Sequence, residues 1–268
     1  MLRRFWCTAV CLVLIGGFLD GPPALAEPQL DVALVLAVDI SSSMEAEEQG
    51  LQRVGFAEAF RSSLVHDAIQ NGAAGRIAVT YVEWSGAKDQ TVIVPWTVID
   101  GPDKAKAFAD SLTSKPIRQA GMTSISGAID FSRTLFGDVG RIAARRVIDI
   151  SGDGPNNDGR KVILARDEAV TEGIVINGLP IMFRRSQNSP EMDGLDVYYR
   201  DCVVGGVGAF VIPLHDPEQF AMIIRNKIMR EIAGIEDRQP KVIPTQSRMN
   251  CVTGEKKADD DLSLQKDP

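Results

Sequence analysis

The stretch LAVDISSSMEAEE, residues 36–48, passes within a few positions from apolar chain to an aspartate, three serines and a cluster of glutamates. Just upstream, Ala33 to Val38 is a continuous apolar run, the composition of a strand buried on both faces in the middle of a parallel sheet. From about Glu45 onward, Leu51, Val54, Ala57, Phe60 and Leu64 recur at threes and fours, the spacing of one helix face. A buried strand that hands over to a helix through a short polar loop is the repeating unit of an α/β fold.

The rest of the chain extends that unit. Arg76 to Trp84 and Gln90 to Ile99 read as strands, and the short turn SGAKD between them requires an antiparallel pair, with Pro95 suited to an edge. Asp103 to Leu112 and Ser124 to Phe136 read as helices. Arg145 to Ser151 reads as another buried strand, followed by the loop GDGPNNDG and a helix over Lys161 to Glu172. Ile174 to Met182 and Ala209 to Leu214 complete six strands. The last helix carries Asp216 as N-cap, Pro217 at its first position, and Phe220, Ile223, Ile224, Ile228 and Ile232 on one face. The prediction is a doubly wound, mostly parallel six-stranded sheet of Rossmann-like type, with one antiparallel edge strand and helices on both faces. Ligands of such sheets bind at the carboxyl ends of the strands.

The two ends differ from this domain, which is expected over 27–235. Residues 1–26 place Arg3 and Arg4 before an apolar run from Phe5 to Leu19 and end in Ala24-Leu25-Ala26, the pattern of a cleavable secretory signal peptide. The alternative, a retained anchor, is disfavoured because this run is shorter than the roughly 20 residues that span a bilayer. The expected location is therefore periplasmic or extracellular, with no stable membrane insertion after cleavage. Residues 236–268 are polar and are expected to form a flexible tail. Export removes Cys7 and Cys11 and leaves Cys202 and Cys251 in an oxidising compartment, as a disulfide or as two thiols. The net charge of −7 and the absence of a basic stripe argue against a nucleic-acid partner.

Asp39, Ser41 and Ser43 stand at alternate positions just past the first strand, where an extended loop turns alternate side chains to one side. One carboxylate and two hydroxyls are hard oxygen donors, suited to Mg²⁺ or Mn²⁺ rather than zinc or copper. Neighbouring strand ends supply further oxygens: Thr123 in AGMTSISGAID and Asp153 in DISGDGPNND. A competing reading makes the Asp and Ser residues caps of the next helix, though one cap residue suffices and Thr123 and Asp153 stay unexplained. The loop DGPNNDG fails as a calcium loop, with Pro155 and Leu164 where ligands belong.

These elements, Asp39-Ile-Ser41-Ser-Ser43, Gly121-Met-Thr123 and Asp153-Gly154, in this order and context, strongly resemble the von Willebrand factor A domain with its metal-ion-dependent adhesion site. The resemblance covers about residues 31–233. More narrowly the chain looks like an exported bacterial group of such domains. It departs from the family in having GDG in place of the usual TDG after the fourth strand, and in the divergent stretch 184–208. The resemblance implies that Ser41 and Ser43 bind the metal directly, Asp39 and Asp153 largely through water, and Thr123 directly or through water. It implies a vacant coordination position for an Asp or Glu carboxylate of a partner protein, with Mg²⁺ as the expected ion and Mn²⁺ or Ca²⁺ as substitutes. The expected function is thus a non-enzymatic, metal-dependent protein-binding module. Two alternatives stand beside it: a hydrolase that uses the same ion with a base such as Glu191 or Asp193, and a structural domain without metal. No Gly-x-Ser-x-Gly elbow is present, and His66 and His215 are expected to be structural or solvated.

Overall fold

Residues 29–183, 194–234, 249–252 and 255 are described by the structure, a computed structural model. The expected signal peptide over 1–26, the candidate bases Glu191 and Asp193 and most of the expected tail lie outside these residues.

β1 (Val32–Asp39) has all eight side chains buried, because it lies in the middle of the sheet. It pairs in parallel with β2 (Ile77–Trp84) on one side and β4 (Arg146–Gly152) on the other. β5 (Ile174–Pro180) continues the parallel set beyond β4, and β3 (Gln90–Ile99) runs antiparallel to β2 at the opposite edge. The order is β3-β2-β1-β4-β5. Pro95 sits in the edge strand β3, where a missing N–H is tolerated.

The alternation of side chains along the strands divides the interior into two cores. Leu34, Leu36, Val38, Val79 and Tyr81 face α1 (Ala46–Arg61), α2 (Ser63–Gln70), α3 (Pro102–Thr113) and α8 (Phe220–Ala233). Ala33, Val35, Ala37, Ile148 and Ile150 face α4 (Ile125–Leu135), α6 (Val162–Thr171) and α7 (Leu195–Tyr198). A short α5 (Gly137–Arg141) leads into β4. Each fully buried Val, Leu or Ile contributes about 1.5–3 kcal/mol, so β1 anchors both cores.

Among the described residues the sheet has five strands, where six are expected from the sequence. The segment 209–214 does run beside β5, with parallel bridges from Gly178 to Val211 and from Ile181 to Leu214 in one register. Between these bridges the ladder calls for an N–H from residue 180, and residue 180 is proline. The pairing therefore stays as two isolated bridges.

The first helix also differs from its expected form. It stops at Ser62, whose extended backbone (φ −73°, ψ 131°) separates α1 from α2, so Leu64 belongs to a different helix. Phe56, Ala57 and Phe60 face the core, whereas Val54 is 51% exposed. Gln49, Gln52 and Arg53 are buried instead. They lie under the loops at the carboxyl end of the sheet, where polar groups have partners.

Cys202 and Cys251 form a disulfide, which settles the choice left open by the sequence. Met249 and Cys251 pack against the second core, and Glu255 Oε1 accepts the Val162 N–H at the start of α6 at 2.9 Å. Among the described residues no helix is long and apolar enough to cross a membrane.

Candidate metal centre

Strand order reverses between β1 and β4, since β2 and β3 lie on one side of β1 and β4 and β5 on the other. Such a switch point leaves a crevice at the carboxyl ends of the two strands. β1 ends in Asp39, and β4 ends in Gly152 with Asp153 next in the chain. Register aligns Val38 with Ser151, which sets Asp39 beside Gly152.

The loop after β1 folds back on its own carboxylate, with the Ser41 N–H donating to Asp39 Oδ1 at 2.7 Å. The Ser41 and Ser43 hydroxyls lie 2.9 Å apart, and Ser43 Oγ donates to Asp153 Oδ1 at 2.7 Å. Asp39, Ser41, Ser43 and Asp153 are thus joined in one hydrogen-bonded chain across two strand ends. Thr123 enters through its backbone rather than through that chain. Its N–H donates to Asn157 Oδ1 at 2.9 Å and its carbonyl accepts from Asn157 N at 2.8 Å, which ties its loop to the one carrying Asp153. Ser42 ties the same loop to the Asp39 side, with Oγ donating to the Gly121 carbonyl at 2.9 Å.

None of these serines caps α1. Glu45 occupies the N-cap, with its own N–H donating to Glu48 Oε2 at 2.9 Å, so helix capping is met by the glutamates of the opening stretch. The hydroxyls are left for other use.

Several supporting residues left no pattern in the sequence. Gln52 Oε1 accepts from the Ser151 hydroxyl at 3.1 Å, so α1 is bonded to β4 beneath the loops. Arg53 forms a buried ion pair with Glu83 and donates to the carbonyls of Lys115 and Pro116, steadying the approach to Thr123. Asn156 accepts the Ser126 N–H at 3.0 Å, and Asp158 accepts the Ala87 N–H at 2.7 Å. The Asn-rich loop therefore stitches the start of α4 and the β2–β3 turn to the Asp153 loop. Only the density of Asn and Asp in GDGPNNDG hinted at this. His66 Nε2 lies 2.7 Å from the Phe60 carbonyl, a structural contact.

Electrostatically the centre favours a cation. Burial first, and the neighbouring Asp153 carboxylate second, push Asp39 up to about 8 against the pull of the Ser41 hydrogen bonds. Asp39 Oδ2 is buried without a hydrogen-bond partner among the described residues. Two carboxylates and the two hydroxyls of Ser41 and Ser43 at one crevice, with one buried oxygen unsatisfied, fit a small hard divalent ion. No group of three or more His, Cys, Asp or Glu that could hold a metal ion occurs among the described residues.

The fold is that of a von Willebrand factor A-type domain. Proximal thread matrix protein 1 of the mussel byssus superposes with a TM-score of 0.55 at 13% identity over 77% of this chain and 49% of its own. The pilus adhesin SpaC of Lactobacillus rhamnosus GG gives 0.57 at 13% identity over 77% and 31%. A von Willebrand factor type A protein of Catenulispora acidiphila gives 0.52 at 14% identity over 76% and 43%. A further structure of the mussel protein, with a TM-score of 0.51, 14% identity and coverage of 78% and 47%, is described as having a zinc-occupied MIDAS motif. The chain thus spans half or less of each of these relatives. Within this class it belongs to the family described as "Protein of unknown function (DUF1194)", whose model matches residues 29–236. A sequence comparison with curated proteins finds no significant match.

Proposed function

We propose that this protein is an exported, non-enzymatic binding module that captures an Asp or Glu carboxylate of a partner protein through a divalent cation. Asp39, Ser41, Ser43, Thr123 and Asp153 would hold the ion, with Mg²⁺ the expected species and Mn²⁺ or Ca²⁺ as substitutes. The observation that carries this reading is the contact of Ser43 Oγ with Asp153 Oδ1 at 2.7 Å, which joins donors 110 residues apart at the switch point of the sheet. The zinc-occupied motif of the mussel protein and the adhesin role of SpaC support it by likeness of fold.

When bound, the ion would supply a site of positive charge open to an incoming carboxylate. The chain's own residues set how strong that site is. Ser41, Ser43 and Thr123 are neutral donors, and neutral donors leave more of a cation's charge for the incoming anion than carboxylates do. Asp39 sits at the buried floor and Asp153 at the more open rim, so one carboxylate anchors while the other flanks the approach. The buried Gln52 and Arg53 contacts fix the end of β4 and the segment leading to Thr123 from below, which limits the entropy lost on binding.

Affinity capture from an extract of exported proteins tests this function. A partner retained with Mg²⁺ and lost both with EDTA and with Asp39→Ala is the expected result. A partner retained equally in all three arms would contradict it.

A further inference from the structure

Tyr199 is fully buried, yet its hydroxyl has no hydrogen-bond partner among the described residues. Asp39 Oδ2 is in the same condition. The two atoms converge on Gly152: a Cβ built there would lie 2.8 Å from Asp39 Oδ2 and 2.9 Å from Tyr199 Oη. The residue at that point is glycine, the one amino acid with no side chain to crowd them. Two unsatisfied buried polar groups at one point call for a physical reason, since such groups are rare in folded proteins.

The backbone around Tyr199 is held firmly. Tyr199 opens the π-helical turn Tyr199–Val203, a conformation that is uncommon and concentrated at functional sites. Cys202 in that turn is bonded to Cys251, and Arg166 Nη1 donates to the carbonyls of Asp201 and Cys202 at 2.9 and 3.2 Å. The Met249 N–H donates to Asp201 Oδ2 at 3.0 Å. The neighbouring Tyr198 hydroxyl accepts the Asn156 N–H at 3.2 Å, which couples this turn to the loop after Asp153.

We propose that Tyr199 is a positioning residue of the metal centre: the two oxygens are not hydrogen-bonded to each other in the structure, and cation binding brings the Tyr199 hydroxyl to donate to Asp39 Oδ2 and fix the carboxylate toward the ion. This rests on the metal reading of the site. Asp39 Oδ1 is already oriented by the Ser41 N–H, so a donor on Oδ2 removes the remaining rotational freedom of the carboxylate. Partners of this outer kind are typically worth 10–100-fold in metal affinity. Gly152 takes its place in the same device, because a side chain there would crowd both oxygens.

The test titrates chelator-stripped full-length protein and Tyr199→Phe with Mn²⁺, reading free ion by its paramagnetic resonance, and follows phenol absorbance on adding Mg²⁺. Tyr199→Phe is expected to bind Mn²⁺ about 10–100-fold more weakly. Its metal-free unfolding midpoint stays close to that of the parent. The chain has three tyrosines, so the source of any phenol signal can be assigned. A Mg²⁺-induced phenol difference band is expected in the parent, in Tyr81→Phe and in Tyr198→Phe, and is lost in Tyr199→Phe. Equal Mn²⁺ affinity in parent and Tyr199→Phe overturns the role of Tyr199 and leaves the metal reading intact. A parent protein that takes up no Mn²⁺ overturns both. Should Tyr199→Phe fail to fold, the other three proteins decide, and Mn²⁺ binding without any phenol band overturns the proposal.

Discussion

At Asp39, burial and the nearby Asp153 carboxylate favour the protonated acid, whereas a bound cation needs the anion. A folded pKa of about 8 against an unfolded value of 3.8 means that the folded protein binds the extra proton between those values. In the metal-free protein Asp39 therefore contributes stability that is fully present below about pH 4 and lost as the pH rises through about 8. Two outcomes follow. Asp39→Asn, which cannot ionise, is expected to be more stable than the metal-free parent at about pH 8, by about 1–3 kcal/mol in chemical denaturation. The rise in melting temperature given by Mg²⁺ is expected to grow from about pH 5 to about pH 8, because less proton displacement is needed, and to be absent in Asp39→Asn. Asp39, Ser41 and Ser43 were legible in the sequence because alternate spacing after an apolar strand is a local pattern. Tyr199 was not, since a buried phenol in a divergent stretch carries no spacing that points to a residue 160 positions earlier.

Among the elements, the strands whose apolar runs are uninterrupted were the most legible: β1 and β4 stand where their composition placed them, and so do the crevice and the loops at its rim. Helix faces were less so. α1 turns Gln52 and Arg53 inward because long-range partners await them in β4, β2 and the loop at 115–116, and Gln49 inward onto the carbonyls of Ile40 and Met44; hydropathy spacing cannot register such partners. The same holds for Lys227, buried on α8 between Asp149 of β4 and Glu231 at 2.8 and 2.6 Å. Lys227→Ala strands two buried carboxylates and is expected to cost about 3–5 kcal/mol in denaturant titration. Pro180 shows the reverse case, a signal present in the sequence whose effect needed the register of the neighbouring segment to be understood. At the scale of loops, Asn157 holds Thr123 in place. Asn157→Ala is expected to weaken Mn²⁺ binding about 10–100-fold in calorimetry, with a stability cost near 1 kcal/mol.

For the whole molecule, the C-terminal segment is joined to the domain by the disulfide between Cys202 and Cys251, by the Met249 N–H donating to Asp201, and by Glu255 at the start of α6. The closed loop spans 49 residues, and the paired substitution Cys202→Ser with Cys251→Ser is expected to lower stability by about 2–4 kcal/mol, measured by denaturation with and without reductant. The same segment holds the turn that carries Tyr199, so its loss reaches the centre as well as the core. The proposed cation at the carboxyl ends of β1 and β4 is tested most directly by thermal unfolding of the full chain across a Mg²⁺ series. The midpoint is expected to rise with Mg²⁺, equivalent to about 2.7 kcal/mol at a hundredfold excess over the dissociation constant, to return with EDTA, and not to move in Asp39→Ala or Asp153→Ala. Superimposable melting curves in Mg²⁺, Mn²⁺, Ca²⁺ and EDTA would contradict it.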